Sequence, residues 1–230
     1  MFGADSVFAA PAVYDPSRLA WAAALLAWVL AVPMYAVTTV VATVAHEGGH
    51  ALVGTLLLQK VRAVRLQPDG GGVTEFGPIP WLFNIFVSLA GYIGPSVFGL
   101  LAAALLLRGA TEAVLWASLG FLFLMLFMVR GWFGLSLVPA LMVVIFATAT
   151  QVEPPLQVFF TYVWVWFLLI APVEDMLVHI RQKIYESSGS DTRTMQRLTL
   201  VPSELWSLIF LTGTIAALVY GGSLLLRPAG

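Results

Sequence analysis

Val44-Ala45-His46-Glu47-Gly48-Gly49-His50-Ala51-Leu52 continues a stretch that carries no charge from Leu19 to Ala45, and its reading decides the fold. A helix crosses the hydrocarbon of a bilayer with about 20 apolar residues, so this stretch reads as a membrane helix with polar groups at one end. Positions four apart share a helix face. His46 and His50 can therefore offer two imidazole nitrogens to one tetrahedral metal, with Glu47 beside them to handle protons. The competing reading makes the histidines interhelical hydrogen-bonding groups and lets Glu47 reach the interface. A charged group near the bilayer centre costs roughly 2.5–3.5 kcal/mol, and such groups are usually functional, so the metal reading is preferred. Gly48 and Gly49 each lower helix propensity by about 1 kcal/mol relative to Ala and suit a place where another helix or a substrate backbone comes close.

Outward from the motif the whole chain is of the same kind. It has 230 residues, 60% hydrophobic and 10% charged, too apolar for a water-soluble core. Apolar segments at about 18–57, 78–107, 112–130, 132–151, 156–180 and 203–226 predict an all-α polytopic membrane protein of about six transmembrane helices. The first run is too long for a signal-peptide core, and its leader carries Asp5 and Asp15 where basic residues would be expected, so it should remain in the mature protein. As one helix from Arg18 it would be roughly 60 Å long, twice the hydrocarbon thickness, and Pro33 is the place for a kink or a division into two spans. Single crossings put Lys60, Arg62, Arg65, Arg130, Arg181, Lys183, Arg193 and Arg197 on one side and Arg18, Arg108 and Arg227 on the other. That bias marks the first side as cytoplasmic in a multi-pass protein of the cell membrane, with both termini outside if the first run crosses once. Scattered basic residues and a near-neutral net charge leave no nucleic-acid footprint.

Two polar segments break the pattern. Lys60 to Glu75 has β-prone runs around a turn signal at Asp69-Gly70-Gly71-Gly72 and predicts a small β-hairpin after the HExxH helix. Arg181 to Thr199 reads as a loop between the last two spans on the same side.

Cysteine is absent, so a metal must be held by His, Asp or Glu. A catalytic site keeps three protein ligands and one open position. His179 and the carboxylates Glu75, Glu174, Asp175, Glu186 and Asp191 are the candidates for the third place. Asp175 ends an apolar run that crosses in the same direction as the first, which puts it at a similar depth. Asp191 is held in reserve, and simple marking of a helix exit is the competing reading for Glu174, Asp175 and His179. Gly91, Gly94 and Pro95 in the second span read as routine small-residue helix packing, and Asn84 as a possible hydrogen-bonding group toward substrate or a neighbouring helix.

The HEGGH helix, the hairpin ending in Asp69-Gly-Gly-Gly-Val-Thr, the segment Ala90-Gly-Tyr-Ile-Gly-Pro95, and the Gly189-Ser-Asp191 loop before Pro202 and Trp206 together resemble the compact branch of the site-2-protease-like zinc intramembrane metallopeptidases. The resemblance runs from about residue 40 to the last span. It implies one membrane-embedded metallopeptidase-like domain over 1–230, a Zn2+ site on His46 and His50, Glu47 as catalytic carboxylate, and an aspartate from a later helix. Better-known members carry that aspartate in a Leu-Asp-Gly context that this sequence lacks; Asp175, in Pro172-Val-Glu-Asp175-Met, is the closest by position.

On that basis the expected activity is zinc-dependent cleavage of transmembrane or membrane-proximal peptides near the cytoplasmic face, with Glu47 as general base. Strand addition along 61–66 or 73–76 would hold an unwound substrate, while Lys60, Arg62 and Arg65 would meet anionic lipid headgroups; the two roles can coexist. A membrane partner subunit is a further expectation. The alternative is a metal-binding scaffold or assembly subunit without catalysis, against which stands the intact His46, Glu47 and His50 set. A metal transporter would need polar residues repeated through several spans, and here they gather at span ends.

Overall fold

The uncharged stretch ahead of the histidines does not run as one rod. In the computed structural model, which describes residues 16–227, it forms two helices, α1 (Pro16–Ala31) and α2 (Tyr35–Leu56), bent by 100°. Pro33 has no N–H and its ring crowds the carbonyl four residues back, so the helical ladder stops there. The freed acceptors are retaken locally: Met34 N–H donates to Val29 O at 3.1 Å and the Thr38 hydroxyl to Leu30 O at 2.6 Å. The kink or division expected at Pro33 is present as this bent pair. The acidic leader with Asp5 and Asp15 lies outside the described residues.

The chain continues through β1 (Val61–Leu66), β2 (Gly72–Phe76), α3 (Trp81–Leu107), α4 (Thr111–Met128), β3 (Val129–Arg130), α5 (Trp132–Gln151), α6 (Pro154–Arg181), a single 3-10 turn at Ile184–Glu186, α7 (Asp191–Thr199) and α8 (Ser203–Leu225). Helices α3, α4, α5, α6 and α8 are each long and apolar enough to cross a membrane, and the α1–α2 pair passes the same test as one bent span. The fold is all-α and polytopic, as the apolar runs predict. Large apolar side chains such as Val143, Val144 and Phe146 of α5 face outward, which suits hydrocarbon surroundings.

α3 and α6 form the centre. α3 packs against α2, α6 and α8, and α6 also against α1. Small residues make the close approaches. Ala20, Ala23, Ala27 and Ala31, spaced three or four apart, are all buried on α1, where they let it lie against α6. Gly49 of α2 faces the Ala90 carbonyl of α3 so closely that a Cβ there would collide with it. Gly48 meets the Phe121 ring of α4 in the same way, so both glycines of the motif serve contacts within the protein.

The predicted hairpin is present but is part of a three-stranded sheet in the order β2-β1-β3. β1 and β2 are antiparallel with Val64 opposite Thr74, while β3 adds in parallel with Val64 opposite Val129 and Arg65 opposite Arg130. Two residues at the end of α4 are too short a strand to leave a sequence signal. The consequence is that β1 is central, and β2 and β3 are the two edge strands.

The 181–199 segment is likewise more than a loop. Its second half is α7, whose buried Thr192 and Met195 are three apart on one face, with Met195 packed into a cluster with Met176 and Phe210. That face turns α7 back under the bundle toward α2.

Candidate metal centre

On α2 the helical spacing brings the two imidazoles together as expected, with His46 Nε2 and His50 Nε2 3.2 Å apart. The third group at this point is Asp191, the first residue of α7, whose Oδ2 is 3.1 Å from His46 Nε2 and 3.2 Å from His50 Nε2. These three could hold a metal ion. Four tetrahedral bonds of about 2.0–2.1 Å set neighbouring ligand atoms roughly 3.3 Å apart, so the near-equilateral triangle of donors fits three corners of such a site. His50 Nδ1 donates to Val87 O at 2.7 Å, which leaves Nε2 bare for ligation and fixes the ring.

Burial alone would raise the pKa of the Asp191 carboxyl. When the imidazoles are protonated, the charge on His50 and the hydrogen bonds from both rings outweigh burial and hold it below the usual carboxylate range. Ser190 caps α7 by accepting from Arg193 N–H at 3.2 Å, so the carboxylate also sits at the positive end of a helix.

Asp175, the expected third ligand, is not in this donor group, whose third member is Asp191. It lines the same cavity, of about 540 Å³, beside the Tyr35 hydroxyl. Depth along a span ranked Asp175 first; the carboxylate that meets the two imidazoles instead comes from a helix that folds back after the span ends. The other candidates are engaged elsewhere. Glu174 pairs with Arg181 at 3.4 Å and Glu75 with Arg65 at 2.7 Å, while Lys183 Nζ lies 4.0 Å from Glu186. His179 is buried with Nδ1 bonded to Tyr92 and Nε2 to Thr192, so neither ring nitrogen faces the donor triangle as a free ligand.

Glu47 is buried beside the histidines and is held from the sheet. The Thr74 hydroxyl of β2 donates to Glu47 Oε2 at 2.6 Å. The turn before β2 docks on α2 as well: the Thr43 hydroxyl donates to Gly70 O at 2.7 Å, and a Cβ on Gly72 would meet Glu47 Cγ at 2.6 Å and Oε1 at 2.7 Å. This close approach accounts for Gly72; a Cβ on Gly70 would lie 2.5 Å from the Thr39 side chain of α2, and Gly70 also adopts φ +87°, which favours glycine. Asn84 lines the cavity from α3.

Gly91 is more than routine packing. A Cβ there would lie 2.6 Å from His50 Nε2 and 2.7 Å from His46 Nε2, inside the space that the donor atoms share. Gly91→Ala is therefore expected to weaken metal binding by roughly 100-fold or more, beyond the usual effect of changes around a metal site. Gly120→Ala, at a position with nothing within 4 Å of the added carbon, should leave it unchanged. Competition with a chromogenic chelator reads both; equal affinities would contradict the assigned crowding.

Neither the curated proteins nor the solved structures contain a match to this chain. A family match does exist: the Peptidase M50B-like description covers residues 19–221, nearly everything from α1 to α8. Since that span includes the HExxH helix, the docked turn and the aspartate-bearing α7, the chain belongs to the Peptidase M50B-like family of metallopeptidases.

Proposed function

We propose that this protein is a zinc-dependent intramembrane endopeptidase of the cell membrane, cleaving transmembrane or membrane-proximal peptides near the cytoplasmic face. The observation that carries the reading is the triangle of His46 Nε2, His50 Nε2 and Asp191 Oδ2 beside a buried Glu47. Two imidazoles and a carboxylate suit zinc, and the donor spacing supports that choice. Zinc held by His46, His50 and Asp191 would supply Lewis acidity, polarising a peptide carbonyl and making water a nucleophile near neutral pH.

Glu47 acts as general base and then general acid. It takes a proton from the water that adds to the scissile carbonyl and returns it to the departing amine, so one water and one peptide bond become a carboxyl and an amine. Thr74 orients this carboxylate: its O–H occupies Oε2 and leaves Oε1 for the transferred proton. Among the described residues, the cavity wall carries no Lys or Arg to neutralise Glu47 by ion pairing.

Substrate must arrive unwound, because a helix buries its peptide bonds in its own ladder. Strand addition fits β2, whose Gly72, Val73, Thr74 and Phe76 line the cavity and whose outer side has no neighbouring strand among the described residues. β1 does not suit this role, since β2 and β3 flank it. Lys60, Arg62 and Arg65 would contact anionic headgroups, and a membrane partner subunit would gate access.

Zinc analysis of the detergent-purified chain, beside a His46→Ala/His50→Ala variant, tests the reading together with cleavage of a transmembrane peptide in liposomes. About one zinc per chain, lost with the histidines, and cleavage abolished by a chelator are expected. Zinc without cleavage of any transmembrane peptide would favour a scaffold role, and no zinc would remove the metal centre.

A further inference from the structure

The third donor sits on an element that cannot hold itself in place. α7 has nine residues, fewer than the about 12–15 at which an isolated helix becomes even marginally stable, so its position comes from tertiary contacts. At its carboxyl end these are plentiful. Gln196 Oε1 accepts from Ser203 N–H at 3.2 Å, and Thr199 Oγ1 accepts from Trp206 Nε1 at 2.9 Å. At the amino end, where Asp191 is, the hydrogen bond between Thr192 Oγ1 and His179 Nε2 at 3.1 Å is the one that ties the first turn to a spanning helix among the described residues, the metal-site contacts aside.

Counting protons gives this contact a direction. Ser190 has one hydroxyl proton, donated to Ser187 O at 3.1 Å, so in the 3.2 Å contact between Ser190 and Thr192 it is Thr192 that donates. With the Thr192 proton used, the His179 contact requires Nε2–H to donate to Thr192. A neutral imidazole then has a bare Nδ1, which accepts from the Tyr92 hydroxyl at 2.9 Å. The chain thus runs one way, Tyr92 to His179 to Thr192 to Ser190, and ends on the residue that caps α7. At its other end the Tyr92 ring stands edge-on to His46, with ring centroids 4.7 Å apart. His179 and Thr192 are 1% and 0% exposed, so water cannot replace either partner.

We propose that His179 is a positioning residue: through Thr192 and Ser190 it holds the amino end of α7 so that Asp191 meets His46 and His50. This rests on the metal reading above. The role explains why a fully buried histidine close to the donor triangle contributes no ligand atom. Both of its nitrogens are committed to joining α6, α3 and α7 around the site.

Zinc affinity of the full-length chain in detergent, read by chelator competition, tests the proposal in wild type, His179→Leu, Thr192→Val, Thr192→Ser, Asp191→Ala and the His179→Leu/Asp191→Ala double variant. His179→Leu and Thr192→Val should each weaken zinc binding about 10- to 100-fold, as loss of an outer-sphere partner does, and Thr192→Ser should retain wild-type affinity. In the Asp191→Ala background His179→Leu should add nothing, because the residue acts through Asp191. Cobalt-substituted His179→Leu should shift its visible absorption toward the Asp191→Ala spectrum. In zinc-free protein, hydrogen exchange at 191–195 should quicken while α2 and α3 stay protected. Losses that multiply in the double variant, or unchanged exchange at 191–195, would overturn the proposal. Zinc-binding wild type with a Thr192→Val variant of equal affinity would overturn it alone, whereas a wild-type chain that takes no zinc would overturn the metal reading and this inference together.

Discussion

Glu47→Gln is expected to bind zinc as the wild type does and to cleave a membrane-embedded peptide about 10²- to 10⁴-fold more slowly, the range for loss of a positioned general base. The two readouts separate because Glu47 is not among the three donor groups. Glutamine keeps the size of the side chain and can still accept from Thr74 through its carbonyl oxygen, so the β2 contact at Oε2 survives and the fold is undisturbed. What is lost is a group that can take a proton from water near neutral pH. Single-turnover cleavage in liposomes, with metal content measured on the same sample, checks this. A variant that keeps zinc and cleaves at the wild-type rate would remove Glu47 from the mechanism.

The second large effect distinguishes two aspartates that the sequence alone left in competition. Asp191→Ala should lose zinc during purification, with affinity falling by more than the ~100-fold typical of an outer-sphere change, because it removes a donor atom 3.1–3.2 Å from both imidazole nitrogens. Asp175→Ala should retain full zinc content, since its carboxylate lies beside Tyr35 and outside the donor triangle. Metal analysis of the two variants side by side is sufficient. The reverse pattern would restore Asp175 as the ligand and would require α7 to sit elsewhere.

The membrane helices were legible from composition because, in hydrocarbon, a helix satisfies its backbone within its own segment, so a run of apolar residues carries nearly all the information. Five spanning helices and the bent α1–α2 pair correspond to the apolar runs, and Pro33 marks the bend. His46, Glu47 and His50 were legible for a similar reason: residues one and four apart on a helix have their relation set by 3.6 residues per turn, before any other part of the chain is considered. The hairpin announced itself through its turn glycines, whereas β3 and α7 did not, being two residues of strand and nine mostly polar residues.

The remainder of the site depends on contacts between segments distant in the chain. Asp191 rather than Asp175 meets the histidines because Met195 and Thr192 anchor α7 against α6 and α8, and nothing in the local sequence around either aspartate encodes that docking. Thr74 reaches Glu47 because the 70–72 turn lies on α2 without side chains in the way, and Gly91 matters only because α3 crosses α2 where the two imidazoles converge. Sequence by itself therefore determined the membrane helices and the two-histidine half of the centre, both consequences of helical periodicity within one segment. Tertiary structure alone decided the third donor, the orientation of the base and the free strand edge, since each is set by packing between segments that only the complete fold brings into contact.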